Sequence, residues 1–175
     1  PDKKLARQNV LAPLKKTFMN RSAQKQLNWV LCVYPTEAAA NECGMSLEDY
    51  ENFVFNACHL YEFNPIQSWK QLSQYQQQIV DLLNTKSDFH FKGPGTDITF
   101  STRDRTWINS DGKRNMPSGE VFTSPVEESV NGTVYFSFPT LYEGEDVQGV
   151  TLNVQDGVVQ KWHAEQGQPA LDQAF

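Results

Sequence analysis

Few side chains in this sequence are placed to do chemistry. The most suggestive run is Asn115-Met116-Pro117-Ser118-Gly119-Glu120-Val121-Phe122-Thr123. It packs Pro and Gly into a tight loop, then launches a strand with a carboxylate at its root. Gly119 lets the backbone take angles that other residues resist, and the strand fixes the direction of Glu120. A rigid carboxylate suits a divalent cation, because loose ligand geometry quickly loses affinity. Taken alone, a glutamate at a strand start is most often structural. Glu120 is the one candidate metal ligand; no catalytic residue is assigned, and substrate-binding residues stay unknown.

The other reactive side chains are less promising. The histidines are His59, His90 and His163. They show neither HExxH nor another short paired spacing, so a local zinc motif is absent. His59 lies near a helix end, where positive charge is welcome. His90 alternates with Phe89 and Phe91 and points to the opposite face of a strand; His163 ends a strand. Whether either approaches Glu120 in space is left open. Asp97 could bond within a turn or support a site, and the structural reading is preferred. Cys58-His59 is not a nucleophile pair, since such partners meet in space rather than in sequence. Ser118 stands between Pro and Gly without a GxSxG elbow, and no glycine-rich phosphate loop occurs. A lone carboxylate makes no tight transition-metal site, since closed sites use three or four ligands. The isolated chain is expected to bind metal weakly and to hydrolyse nothing.

Composition narrows the classes. The net charge of -6 disfavours nucleic acid as a partner. The crowd of Lys3, Lys4, Arg7, Lys15, Lys16, Arg21 and Lys25 reads as a solvated helix face. No apolar run approaches the ~20 residues that span a membrane, and no signal-peptide pattern opens the chain. Cys32, Cys43 and Cys58 lack CxxC spacing and read as reduced thiols of a cytoplasmic protein. Asn131-Gly132-Thr133 matches a glycosylation sequon but reads as a tight turn. The chain starts at Pro1 and stops at Phe175 inside an apparent helix, so the expectation is a piece of a longer protein. Open apolar surface around residues 150–175 would mark missing mass.

The elements that must position these residues change character along the chain. Residues 2–20 are helix-prone, with Pro13 expected to break or kink the helix. Trp29–Val33 is a continuous apolar run suited to a strand buried on both faces of a parallel sheet. Pro35 stops it. Thr36 can cap a helix through Ala38–Ala40, which Gly44 can end. Ser46 caps the next helix at Asp49, with Leu47, Tyr50, Phe53, Val54, Ala57 and Leu60 on its apolar face. Asn64-Pro65 opens a third, with Trp69, Leu72, Ile79, Leu82 and Leu83 facing inward and Gln71–Gln78 as the wet side. Beyond Gly93-Pro94-Gly95 the pattern turns to strands: Ile98 and Phe100, Thr106–Ile108, Val121–Thr123, Thr133–Phe138, Val150–Val154 and Val158–His163. Asp111-Gly112, Asn131-Gly132 and Asp156-Gly157 are hairpin-type turn signals. A final helix opens at Pro169. The fold class is α/β: the end of an α/β, parallel-sheet domain over residues 1–92, then the β-rich first part of an α+β domain over residues 93–175.

The run from Asn115 to Glu120, continued by Val121-Phe122-Thr123-Ser124-Pro125, resembles the signature of the thermophilic metallo-aminopeptidase family, of the aminopeptidase T and aminopeptidase S type. Further similar stretches are Asn28-Trp29 with Tyr34-Pro35-Thr36 and Ala40, and Met45-Ser46 with Glu48-Asp49-Tyr50. Gly93–Phe100, Val130–Thr133 and Gly157–Val159 also match, so the resemblance runs from about Asn28 to Phe175. It implies a two-domain enzyme that releases N-terminal residues from peptides, using two divalent ions, zinc or cobalt. It implies that Glu120 is a metal ligand, that 93–175 begins the catalytic domain, and that the complete protein is a homodimer. Ser124 stands where alanine is common. The family's remaining ligands, a second glutamate, two histidines, a tyrosine and an aspartate, match no position here. The alternative is a non-catalytic module that kept the family fold and binds a peptide or a partner.

Overall fold

The computed structural model describes residues 2–142 and 144–175, with side chains from Val10 onward. The side chains of Lys3, Lys4 and Arg7 therefore lie outside the described residues. In chain order the elements are α1 (Asp2–Ala23), β1 (Leu31–Cys32), α2 (Glu37–Glu42), α3 (Leu47–Ala57), α4 (Pro65–Leu83), β2 (Asp88–Gly93) and β3 (Thr96–Ser101). There follow β4 (Ile108–Ser110), β5 (Asn115–Met116), β6 (Glu120–Phe122), β7 (Asn131–Phe136), β8 (Thr140–Tyr142), β9 (Glu145–Gln155), β10 (Val158–Gln166) and α5 (Gln168–Asp172). They form two compact units, one of Pro1–Ser73 with Ser110–Gly119, the other of Gln74–Asn109 with Glu120–Phe175.

In the first unit, α1 runs through Pro13 rather than breaking there. Proline deprives one carbonyl of its N–H partner, but the residues around it are exposed, so water can replace the bond. The Trp29–Val33 run holds a strand, β1, and its pairing with β5 is parallel, Leu31 opposite Asn115 and Cys32 opposite Met116. Its expected burial on both faces is not observed. Leu31 is 64% exposed, and Val30, Val33 and Tyr34 are exposed as well. A ladder of two residues per strand has no flanking strands to build a covered sheet. The helix starts follow the capping logic. Thr36 Oγ1 accepts from the Ala39 N–H at 3.2 Å, and Ser46 Oγ accepts from the Asp49 N–H at 3.1 Å. Asn64 Oδ1 accepts from the Gln67 N–H at 3.1 Å. Val54 is buried on α3, but Phe53 and Leu60, expected on its inner face, are exposed.

The second unit is an antiparallel sheet in the order β10-β9-β7-β3-β2, with β8 also on β9. β2 and β3 form a hairpin around Gly93-Pro94-Gly95, in register from Asp88–Ser101 to Gly93–Thr96. β9 and β10 join at Asp156-Gly157, whose φ angles of 49° and 76° are those of a mirror-image hairpin turn. Asn131-Gly132, read as a turn, lies instead inside β7. Gly132 is there for a close approach: at φ 125°, a β-carbon would collide with the Asp97 carbonyl oxygen on β3. Asn131 Oδ1 meanwhile accepts from the Asp156 N–H at 2.9 Å. Asp111-Gly112 is no two-residue hairpin either, because β4 pairs with β6 rather than with β5. Leu82 on α4 is exposed rather than packed. The core gathers Val147, Val150, Ala164, Ala170 and Leu171, flanked by Tyr142, Leu152 and Trp162. Of residues 150–175, Val150, Ala164, Ala170 and Leu171 supply a core, while Val158 and Phe175 stand exposed; α5 opens with Pro169 in its first turn, as expected.

Candidate functional site

The Ser110–Gly119 loop of the first unit is closed by its own polar groups. The Ser110 carbonyl accepts from the Gly119 N–H at 3.1 Å and from Ser118 Oγ at 2.8 Å. The Ser110 and Ser118 hydroxyls lie 2.8 Å apart, so Ser118 closes the loop. Asp111 turns inward, its side chain 6% exposed, with Lys113 Nζ at 2.5 Å. Ser73 Oγ donates to the same carboxylate at 2.7 Å. Burial pushes the Asp111 carboxyl up, but the bonds from Lys113 and Ser73 outweigh it and hold it below the usual aspartate range. The same loop pairs with β1 through the Leu31 N–H to Arg114 carbonyl bond, 2.7 Å. The Arg114 guanidinium also sits 5.4 Å from the Trp29 ring centre. The Met116–Pro117 peptide bond is cis.

Glu120 is the first residue of β6, as the sequence suggests. It is exposed, and among the described residues it makes no ion pair. Its backbone, by contrast, is held: the Glu120 carbonyl accepts from Gln76 Nε2 at 2.6 Å. Gln76 is 3% exposed, although the Gln71–Gln78 stretch reads as the wet side of α4. The missed signal is the i, i+4 series Leu72, Gln76, Val80, which places Gln76 on the apolar stripe. The neighbouring Gln77 accepts from Asn109 Nδ2 at 3.3 Å, so α4 holds both strands of the β4–β6 pair.

The remaining candidates lie elsewhere in the fold. His90 Nε2 lies 2.6 Å from Asp97 Oδ1 across the β2–β3 hairpin, and Lys92 Nζ lies 3.4 Å from Asp97 Oδ2. Asp97 therefore bridges two strands, and the His90 hydrogen bond is the main reason its carboxyl sits below its ordinary range. His163 lies on β10 opposite Thr151. His59 follows Cys58, the C-cap of α3, with Nδ1 2.5 Å from Glu62 Oε1 and its ring edge-on to Trp69. Cys58 is buried, and burial pushes its thiol up, away from thiolate reactivity. Among the described residues, no group of three or more His, Cys, Asp or Glu side chains could hold a metal ion. An exposed carboxylate without an ion pair among the described residues fits one place around a divalent ion such as zinc, for which oxygen is an accepted donor. It does not complete the sphere.

A family model for thermophilic metalloproteases (M29) matches residues 1–175. Aminopeptidase 2 of Geobacillus stearothermophilus is 32% identical over 160 residues, covering 82% of this chain and 39% of that protein. Aminopeptidase PepS of Streptococcus thermophilus is 29% identical over 154 residues, covering 82% and 37%. The solved structure of wild-type AmpT from Thermus thermophilus matches with a TM-score of 0.58 at 27% identity, over 73% of this chain and 34% of that one. The chain spans less than two-fifths of the length of these relatives. Among the described residues, no helix is long and apolar enough to cross a membrane.

Proposed function

The chain belongs to the thermophilic metalloprotease (M29) family, and on that premise we propose that it is part of a metal-dependent aminopeptidase to which it contributes one metal ligand, Glu120. The carrying observation is the state of that side chain: exposed at the root of β6, without an ion pair among the described residues, on a backbone anchored by a buried amide. Named relatives with similar sequences are aminopeptidases, which supports peptides as substrates and release of N-terminal residues as the reaction.

Two divalent ions, zinc or cobalt, would supply Lewis-acid activation of the scissile peptide and of water. This chain's share is to hold the Glu120 carboxylate in a fixed direction toward them. The other ligands belong to parts of the protein beyond the residues matched here, so the isolated chain is inactive. Residues 1–92 are the end of the N-terminal α/β domain and residues 93–175 the start of the catalytic domain. That division rests on the change of sequence pattern at Gly93-Pro94-Gly95, a turn that joins two paired strands of one sheet. The complete enzyme is a cytoplasmic homodimer. Three free cysteines fit a reducing compartment, and the dimer rests on the family resemblance alone.

The test is cobalt titration of the complete gene product with Glu120→Gln. The variant should bind cobalt about tenfold more weakly or worse while melting at an unchanged temperature. Unchanged cobalt affinity would remove Glu120 from the metal site and leave a peptide- or partner-binding module that kept the fold.

A further inference from the structure

We infer that Gln76 is a positioning residue for Glu120: its buried side-chain amide aims the metal-ligating carboxylate by fixing the backbone from which that carboxylate projects. The inference rests on the reading of Glu120 as a metal ligand and adds a residue to it. Its basis is geometric. Gln76 lies on α4 between Leu72 and Val80, and at 3% exposure is among the most buried polar side chains described. Val80, one turn on, is equally enclosed. Burying an amide there is costly unless its polar atoms are bonded. A leucine would fit the stripe without that cost, so helix packing alone does not explain a glutamine.

What a leucine could not supply is the donor on its amide nitrogen. Nε2 donates at 2.6 Å to the Glu120 carbonyl, the first carbonyl of β6. β6 is only three residues long and, among the described residues, pairs with β4 in a two-stranded sheet. A two-strand ribbon is marginal by itself, so its root needs an outside anchor to keep one orientation. The Asn109–Gln77 bond gives the partner strand the same support from the next residue of the helix. Metal affinity depends on ligands being held within narrow limits of position and angle. Groups that orient a ligand are therefore coupled to the ion without touching it.

The coupling can be measured. In the complete gene product, Gln76→Met keeps the volume and the unbranched shape but removes the donor. Cobalt affinity, read by competition with a chromophoric chelator, is compared for the native protein, Gln76→Met, Glu120→Gln and the double variant. The melting temperature of each metal-free protein is recorded beside it. Gln76→Met should weaken cobalt binding about tenfold. In the Glu120→Gln background the same change should leave cobalt affinity unmoved, although it lowers the melting temperature equally in both backgrounds. A role confined to stability would not produce that split. Where Gln76→Met does not fold, Gln76→Asn replaces it, keeping an amide one methylene short of the carbonyl, with the same expectations. If Glu120→Gln weakens binding but the Gln76 variant does not, or weakens it equally in both backgrounds, the positioning role is wrong. If Glu120→Gln itself leaves cobalt affinity unchanged, the metal-ligand reading fails and the inference with it.

Discussion

Asp111 shows how a side chain in the signature loop serves structure before chemistry. Its carboxylate is almost enclosed yet stays ionised, because Lys113 and Ser73 bond the charged form. A carboxyl lowered on folding binds fewer protons in the folded than in the unfolded chain. The stability it supplies is present above the unfolded aspartate value of about 4 and is lost as pH falls through the lower folded value. Asp111→Asn should therefore flatten the acid side of the stability curve, narrowing the loss between neutral pH and about pH 3. Urea unfolding of both proteins across that range measures it; identical acid slopes would count against the ion pair. At this scale the sequence was partly legible. The place of Glu120 at the root of β6 could be read, because Pro, Gly and a strand pattern converge on it. The Asp111 and Gln76 bonds could not, because Ser73 and Asp111 stand 38 residues apart, and Gln76 and Glu120 stand 44 apart.

Elements whose signals are local were read well. A cap needs one side chain and an amide three residues on, so Thr36, Ser46 and Asn64 mark their helices correctly. Asp156-Gly157 is a hairpin because both residues take positive φ. Asn131-Gly132 carries the same dipeptide signal with a different cause. Its glycine is demanded by the Asp97 backbone on the neighbouring strand, a contact that no local window contains. That cause has a measurable cost. Gly132→Ala combines a disfavoured φ with a collision against main chain, so it should destabilise the protein by about 2 kcal/mol or more. Denaturant unfolding gives the value, and a loss below about 0.5 kcal/mol would mean that the strands do not press together there.

Over the whole molecule, fold class was readable and burial was not. Alternation and apolar runs told helix from strand, and the parallel pairing of β1 was anticipated from its continuous apolar run. Whether an apolar run is covered depends on what else packs there, and β1 is open where a buried strand was expected. The same consideration governs activity. With no group of three donor residues among those described, the 175-residue chain supplied with zinc or cobalt should release no N-terminal amino acid from a peptide. A colorimetric assay on an amino-acid anilide measures this directly. Turnover above the metal-only blank would show that the donors present suffice.

The openness of β1 bears on how the protein behaves in a tube. The strand spends one hydrogen-bonding edge on β5 and, among the described residues, has no second strand partner. Val30, Leu31, Val33 and Tyr34 crowd around it, facing solvent. An exposed apolar strand at a sheet edge is a template on which another chain can lay its own strand. Concentration should therefore cloud a solution of this chain well before heat unfolds it, and the haze should begin at residues 30–34.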